Sequence, residues 1–487
     1  NPRIPNQYLS EPKRIGLQYN LTLLKLGVMK ISFAGISAFI FWILLSSSLF
    51  AGKSFKVVAY NVENLFDTDG ISLYDDYQSD AYGETEFQNK LDTIIKVLQN
   101  IGGITGPEVL LLQEIEVDRS PNSGSSAAES LLDQLHRNGL GPYHIALGYN
   151  PSSPSESWPA VQCLTLSKFP IKTTRLHSLY RARPILETTI LVEDMPFTLF
   201  NNHWKSGASS SEMEKIRLQN AEVLRKRIDS LLQADPYHDF LVGGDLNSHY
   251  NQSVVYRKEL KSSGINDILQ SGNQEPAGEL RPSRSLYNLW HELKAEERGS
   301  DAWKGKWGTL MHLLLPVGLY DGEGIAYVSD SFSVEKFSGL NMTTAGKVPF
   351  KWSNELDGFG ASDHFPICAM FQTKGTRPEK GKSFPIIETR ERLIDFSKAE
   401  KEAQLWKPQS LKPENYGTAF QFKGKIATTQ PLFMEAAGHR LGLFSFDSEI
   451  RKKLFSKRKG ATISGIGLLS RYRGQWQFII EKKEWLK

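Results

Sequence analysis

Cysteine is nearly absent: Cys163 and Cys368 are the only two in 487 residues. That excludes a disulfide-rich scaffold and a Cys-ligated zinc centre. Both lie inside apolar runs, VQCLTL and PICAMF, and read as buried strand residues. A Gly-rich phosphate loop, an HExxH helix and a GxSxG elbow are also missing, which removes P-loop nucleotide hydrolysis, HExxH zinc chemistry and serine esterases. No segment recurs with a period of about 20–50 residues, so solenoids and propellers are excluded. A strong net charge is lacking too, with 58 basic against 54 acidic residues.

What is present suits a folded protein: 40% hydrophobic and 23% charged residues supply a core and a solvated surface. The balanced charge hides an asymmetry. Residues 377–487 hold 23 Lys and Arg against 12 Asp and Glu, leaving 35 against 42 in the rest. An acidic body with a basic tail points to a polyanion-binding module, or to a merely solvated basic surface.

One long apolar run occurs, ISFAGISAFIFWILLSSSLFA at 31–51, preceded by Met29 and Lys30. Its layout, a positive start, an apolar centre and a small-residue exit after Ala51, is that of a signal peptide over 29–52. Residues 1–28 then read as an unstructured upstream extension. The chain from Gly52 onward is expected to be secreted or periplasmic, and membrane-anchored if the segment is uncleaved.

Strand-length apolar runs alternate with helix-period segments from Lys53 to Gln372, at FKVVAY, VLLLQ, VQCLTL, ETTILV, FTLFN, DFLVGG, IAYV and ICAMF. Helices are expected at 86–99, 127–138 and from Ser211, where Ser211 and Glu214 have capping-box spacing, to just before Pro236. This mixture indicates one large α+β domain over 53–372. TKGTRPEKGKSFP opens a linker over 373–388, and glycine-broken alternating segments over 389–487 indicate a small basic β domain.

Several of these runs end in residues suited to metal or proton chemistry. Asn61, Glu114, His203, Asp245 and Asn247 follow strands, and Asp363 and His364 precede one. Gathered at one sheet edge they would make a site. One or two carboxylates with an amide suit a hard cation that keeps several waters, Mg²⁺ before zinc. Two histidines supply proton transfer near neutral pH, with a neighbouring Asp to fix a tautomer. The combination suits metal-assisted hydrolysis of a phosphate ester without a covalent nucleophile.

The ordered motifs YNVENLF, LLLQE, NNHWKSG, GGDLNS and SDHFPI, spread over 55–371, resemble the endonuclease/exonuclease/phosphatase superfamily, of the pancreatic-type deoxyribonuclease kind. The resemblance implies a four-layer α/β sandwich of two β-sheets faced by helices. It implies Mg²⁺, with Mn²⁺ or Ca²⁺ as substitutes, held by Glu114 and assisted by Asn61. Asp245 and Asn247 would position or deprotonate water and hold the phosphate. His364, oriented by Asp363, would be a second acid/base or phosphate contact, and His203 would bind phosphate or help the leaving oxygen. Arg183 and Lys205 look like basic residues near the scissile phosphate. One departure stands out: relatives carry an Asp after a Trp in the stretch that here reads KGKWGTLMHLLLP, and Met311 occupies that place. His312 or Asp321 would then assume its supporting role, or activity would be lowered.

The pattern from GTAFQFKGKIATT to SRYRGQWQFIIE is similar to an OB-fold. Such barrels bind single strands with aromatics and a positive groove. Here Phe420, Phe422, Tyr472, Trp476 and Phe478 alternate with Lys423, Lys425, Arg471 and Arg473, though about half of the aromatics must face the barrel core. The sequence thus leads to an exported metal-dependent nuclease with a nucleic-acid-binding barrel. A lipid phosphodiesterase of the sphingomyelinase type and a catalytically silent binder are the alternatives.

Overall fold

Two seven-stranded sheets lie face to face, with apolar residues on both surfaces of their central strands. The computed structural model describes residues 52–120, 124–276, 280–353, 358–374 and 390–487. The expected upstream extension, the apolar run up to Ala51 and most of the expected linker lie outside the described residues. Among the described residues no helix is long and apolar enough to cross a membrane.

The first sheet runs β14 (Ile325–Tyr327), β16 (Ile367–Thr373), β1 (Ser54–Leu65), β2 (Val109–Glu116), β4 (Val161–Ser167) and β3 (His144–Leu147), with β15 (Ser333–Val334) beside β16. The second runs β5 (Ile171–His177), β6 (Ile185–Val192), β7 (Met195–His203), β8 (Phe240–Asp245), β13 (Met311–Leu315), β10 (Leu286–Asn288) and β9 (Ser271–Gly272). Strand alternation explains the layers. In β1, Val57 and Ala59 face Leu199, Leu241 and Leu313 of the second sheet in one core. Val58 and Tyr60 face the other way, onto helices α1 (Glu84–Gly102) and α2 (Ala127–Arg137). Helix α3 (Ser211–Ala234) covers the outer side of the second sheet through Ala221, Leu224 and Ile228. The order is helices, sheet, sheet, helix: the four-layer sandwich. Cys163 and Cys368 are free and buried.

The start of α3 differs from the expected capping box. Ser210 is the N-cap, its hydroxyl accepting from the Met213 amide. Glu214 is turned inward instead, to Arg217, whose guanidinium donates to it at 2.8 Å. Both side chains are buried, at 2% and 0% exposure. Arg217 also donates to the carbonyls of Lys205, Gly207 and Ala208, and so fixes the loop that leaves β7.

Beyond a two-stranded ribbon, β11 (Asp301–Trp303) with β12 (Lys306–Gly308), the chain ends in a closed barrel. Strand β17 (Gln404–Leu405) joins its outside. The barrel strands are β18 (Ala419–Thr429), β19 (Leu432–Ala436), β20 (His439–Phe444), β21 (Thr462–Tyr472) and β22 (Gln475–Ile479). They close in the order first, second, third, fifth, fourth and back to the first, with β20 and β22 parallel. Helix α4 (Ser448–Phe455) lies between β20 and β21 in the chain. Phe422 and Phe478 stack inside, while Tyr472 is exposed. The barrel shares one hydrophobic cluster with Trp307, Ala345 and Phe365 from the preceding part.

Candidate catalytic site

The residues singled out in sequence meet where β1, β2, β7 and β8 end. Asn61 lies in β1, at the point where its register with β2 breaks. Glu114 lies in the matching irregularity of β2, with a backbone φ of 65°. A positive φ is costly for a non-glycine residue and is held by its surroundings. Its effect here is to turn the Glu114 side chain out of strand alternation toward Asn61. The Asn61 amide NH₂ donates to Glu114 Oε1 at 3.0 Å and to Asp245 Oδ2 at 3.2 Å. Its oxygen accepts from the Glu63 amide.

His203 and Asp245 are paired across the parallel strands β7 and β8. His203 Nε2 lies 3.5 Å from Glu114 Oε1 and 3.8 Å from Asp245 Oδ2. His364 Nε2 lies 3.7 Å from the same Asp245 oxygen and 3.8 Å from Asp363 Oδ1. Asn247, also at positive φ, donates its backbone N–H to Asp245 Oδ1 and its side-chain amide to the Trp204 carbonyl. Glu114 and Asp363 are the open members, at 17% and 44% side-chain exposure, while Asp245, His203 and His364 form the floor.

The electrostatics divide the histidines. Burial holds His203 well below its ordinary value, helped by the positive charges of Arg183, His364 and Lys205, so it is neutral. Burial would also lower His364, but Asp363, Asp245, Asp301 and Glu114 together raise it to about 9. Burial raises the Glu114 carboxyl, reinforced by Asp363, and burial raises Asp245, offset in part by His364. Burial thus disfavours the charged form of both carboxylates.

A divalent cation beside them would favour the charged form again. Among the described residues, no three His, Cys, Asp or Glu side chains form a group able to hold a metal unaided. Mg²⁺ needs no such cage, since it binds through one or two carboxylates and keeps its waters. Glu114 fits as the anchoring carboxylate. Asn61 presents its NH₂ to that carboxylate, so it orients Glu114 as placed and would offer its oxygen only with the amide turned over.

Arg183 and Lys205 act on this site by charge, as their effects on Glu114 and His203 show. His312 is not brought to it. It pairs with Gly244 in β8, one place away from the Met311–Asp245 pair, and its side chain therefore takes the opposite face. There its ring nitrogens are engaged by Asn288 and the Ser248 carbonyl, and the residue is fully buried. Asp321 follows a short turn after β13 and lines a separate pocket with Asp239. The supporting role expected of these two is open to Asp301, which sequence reasoning missed. Asp301 forms an isolated antiparallel bridge with His364. Its buried carboxylate accepts from the Ser300 hydroxyl and the Leu310 amide. Ser362 was also missed: its hydroxyl donates to the Asn61 carbonyl and accepts from the His364 amide, joining the two ends of the site. The serine of the SDH motif was its signal.

Residues 165–373 match the Endonuclease/Exonuclease/phosphatase family. No curated protein matches the chain. Among solved structures, truncated TDP2 of Caenorhabditis elegans is similar at 15% identity, covering 66% of this chain and 98% of its own, with a TM-score of 0.39. A beta toxin structure from Staphylococcus aureus is 18% identical over 65% of this chain and 99% of its own, at 0.38. An endonuclease/exonuclease/phosphatase family protein from Leptotrichia buccalis is 13% identical over 65% and 98%, at 0.37.

Proposed function

We propose that this chain is an exported Mg²⁺-dependent nuclease, a metal-dependent phosphoric-ester hydrolase of the kind that the family match over residues 165–373 suggests. The observation that carries the reading is the convergence of Glu114, Asp245, His203 and His364 around the Asn61 amide. Mg²⁺ held at Glu114 would polarise the scissile phosphate and offset charge building on it.

The chain's own groups supply the rest. Asp245, with one oxygen held by the Asn247 amide and the other facing both histidines, is placed to orient water and accept its proton. His364 carries a proton at neutral pH and so gives the phosphate a charged hydrogen-bond donor. Asp363 at its Nε2 side and Asp301 across the bridge keep that proton on. Neutral His203 donates to a phosphate oxygen or assists the leaving oxygen. Arg183 and Lys205 add positive charge where the substrate's negative charge arrives.

Export rests on the signal-like run at 31–51. The barrel's strand order, with a helix between its third and fourth strands, supports an OB-like reading and a role in holding nucleic acid. The test sets circular DNA and a single-stranded oligonucleotide beside sphingomyelin vesicles, each with Mg²⁺. Polymer cleavage supports the reading, and turnover of the lipid alone overturns it.

A further inference from the structure

A groove separates the β11–β12 ribbon and the 343–351 segment from the barrel, enclosing about 660 Å³. Trp303, Tyr472 and Phe446 stand on its lining at 66%, 58% and 41% exposure. Trp303, from the ribbon, meets Phe446, from the barrel, with ring centroids 6.0 Å apart. Large aromatics left in water at a junction are uncommon without a partner. The cations among the described lining residues are Lys304, Lys351 and Arg471, against a single carboxylate, Glu481. Lys304 lies over the Trp303 ring and Arg471 over Trp476, so the cations accompany aromatic faces.

Both walls of the groove are tied to residues of the catalytic centre. Strand β11, which carries Trp303, begins at Asp301, the residue bridged to His364. On the other wall, Lys351 pairs with Glu63 at 3.0 Å, and the Glu63 amide is bonded to the Asn61 side chain. Phe365, next to His364, belongs to the core shared with the barrel.

We propose that this groove binds a single strand of nucleic acid and leads it to the catalytic centre. Unpaired bases stack on Trp303, Phe446 and Tyr472, and Lys304 and Arg471 meet the phosphates. A base within a duplex has no free face to stack, so the exposed rings select unpaired strands. The inference deepens the nuclease reading and rests on it for the strand's destination, while binding itself is measured without turnover.

The experiment is fluorescence-anisotropy titration of a labelled oligothymidylate and its duplex in chelator, using the full chain. The single strand is expected to bind more tightly than the duplex. Trp303→Ala and Tyr472→Ala each weaken it about tenfold or more, and Trp303→Phe restores most of the loss. Lys304→Ala lowers the slope of log affinity against log salt by about 0.7. Ile104→Ala, at an exposed apolar site remote from the groove, leaves binding unchanged, and thermal midpoints check that all variants fold. Strand binding indifferent to Trp303 and Tyr472 overturns the groove, even if the protein cleaves DNA. The same holds if phosphatidylserine vesicles, and not the oligonucleotide, respond to these variants. Groove-dependent strand binding with no polymer cleavage in Mg²⁺ upholds the groove and fails the nuclease reading alone.

Discussion

Asp301 and His364 face each other in an isolated antiparallel bridge, and the negative charge of one helps keep the other protonated. Met311 stands where the motif pattern expects a carboxylate, paired across the sheet with Asp245. The ribbon before it returns a carboxylate to the same histidine from ten residues earlier in the chain. The role of Asp301 is positioning: it acts on substrate through His364.

Asp301→Asn is therefore expected to lower the His364 pKa. The active form has His364 protonated, and His364 is raised to about 9 in the native protein. The rate should fall as pH rises through that value, and in the variant the alkaline limb should move to lower pH. A pH–rate profile checks this. A limb that stays in place while overall activity drops would assign Asp301 a structural role only.

His364→Ala should reduce turnover by about 10²–10⁴-fold. The comparison of kcat with KM is informative, because a group engaged with the reacting phosphate lowers kcat, whereas one that only holds substrate raises KM.

The Glu214–Arg217 pair tests the fold and the site together. Glu214→Ala leaves a fully buried guanidinium without its carboxylate, a change expected to cost about 3–5 kcal/mol. Chemical denaturation measures it. Arg217 also clasps the 205–208 loop, so the loss should loosen Lys205 and raise KM for an anionic substrate.

The strand runs were legible because both faces of β1, β2 and β8 are apolar, and period-two alternation sorts their residues between the core shared by the two sheets and the cores under the helices. The convergence of Asn61, Glu114, His203, Asp245 and His364 was legible because each ends or flanks such a run. What was hidden depends on contacts far apart in the chain. Asp301 sits in a three-residue strand with no periodic signal, and only the ribbon's fold carries it to His364. His312 looked suitable beside the unexpected Met311, yet a one-residue offset in a strand reverses its face. The cap of α3 fell one residue early because Glu214 satisfies Arg217 rather than the helix end.

Buried neutral histidines give a stability signature. Burial holds His291 at about 3, aided by the nearby Arg298. As pH falls from about 6.5 toward 3 the unfolded chain takes up a proton that the folded one refuses, so this contribution is lost across that window at about 1.4 kcal/mol per pH unit. Buried Glu63 and Glu292, raised to about 7, work in the opposite direction. The test is consequently the difference between wild type and His291→Phe: the variant's stability should fall less steeply between pH 6 and pH 4, by about that slope.

The most direct measurement is cleavage of supercoiled plasmid and of a single-stranded oligonucleotide by the purified protein, with Mg²⁺ and with chelator, beside Glu114→Ala. The account predicts polymer cleavage that requires the metal and falls by about 10²-fold or more in the variant. A folded, Mg²⁺-supplied protein that cuts neither polymer, or a Glu114→Ala protein that cuts both as well as wild type, would contradict it.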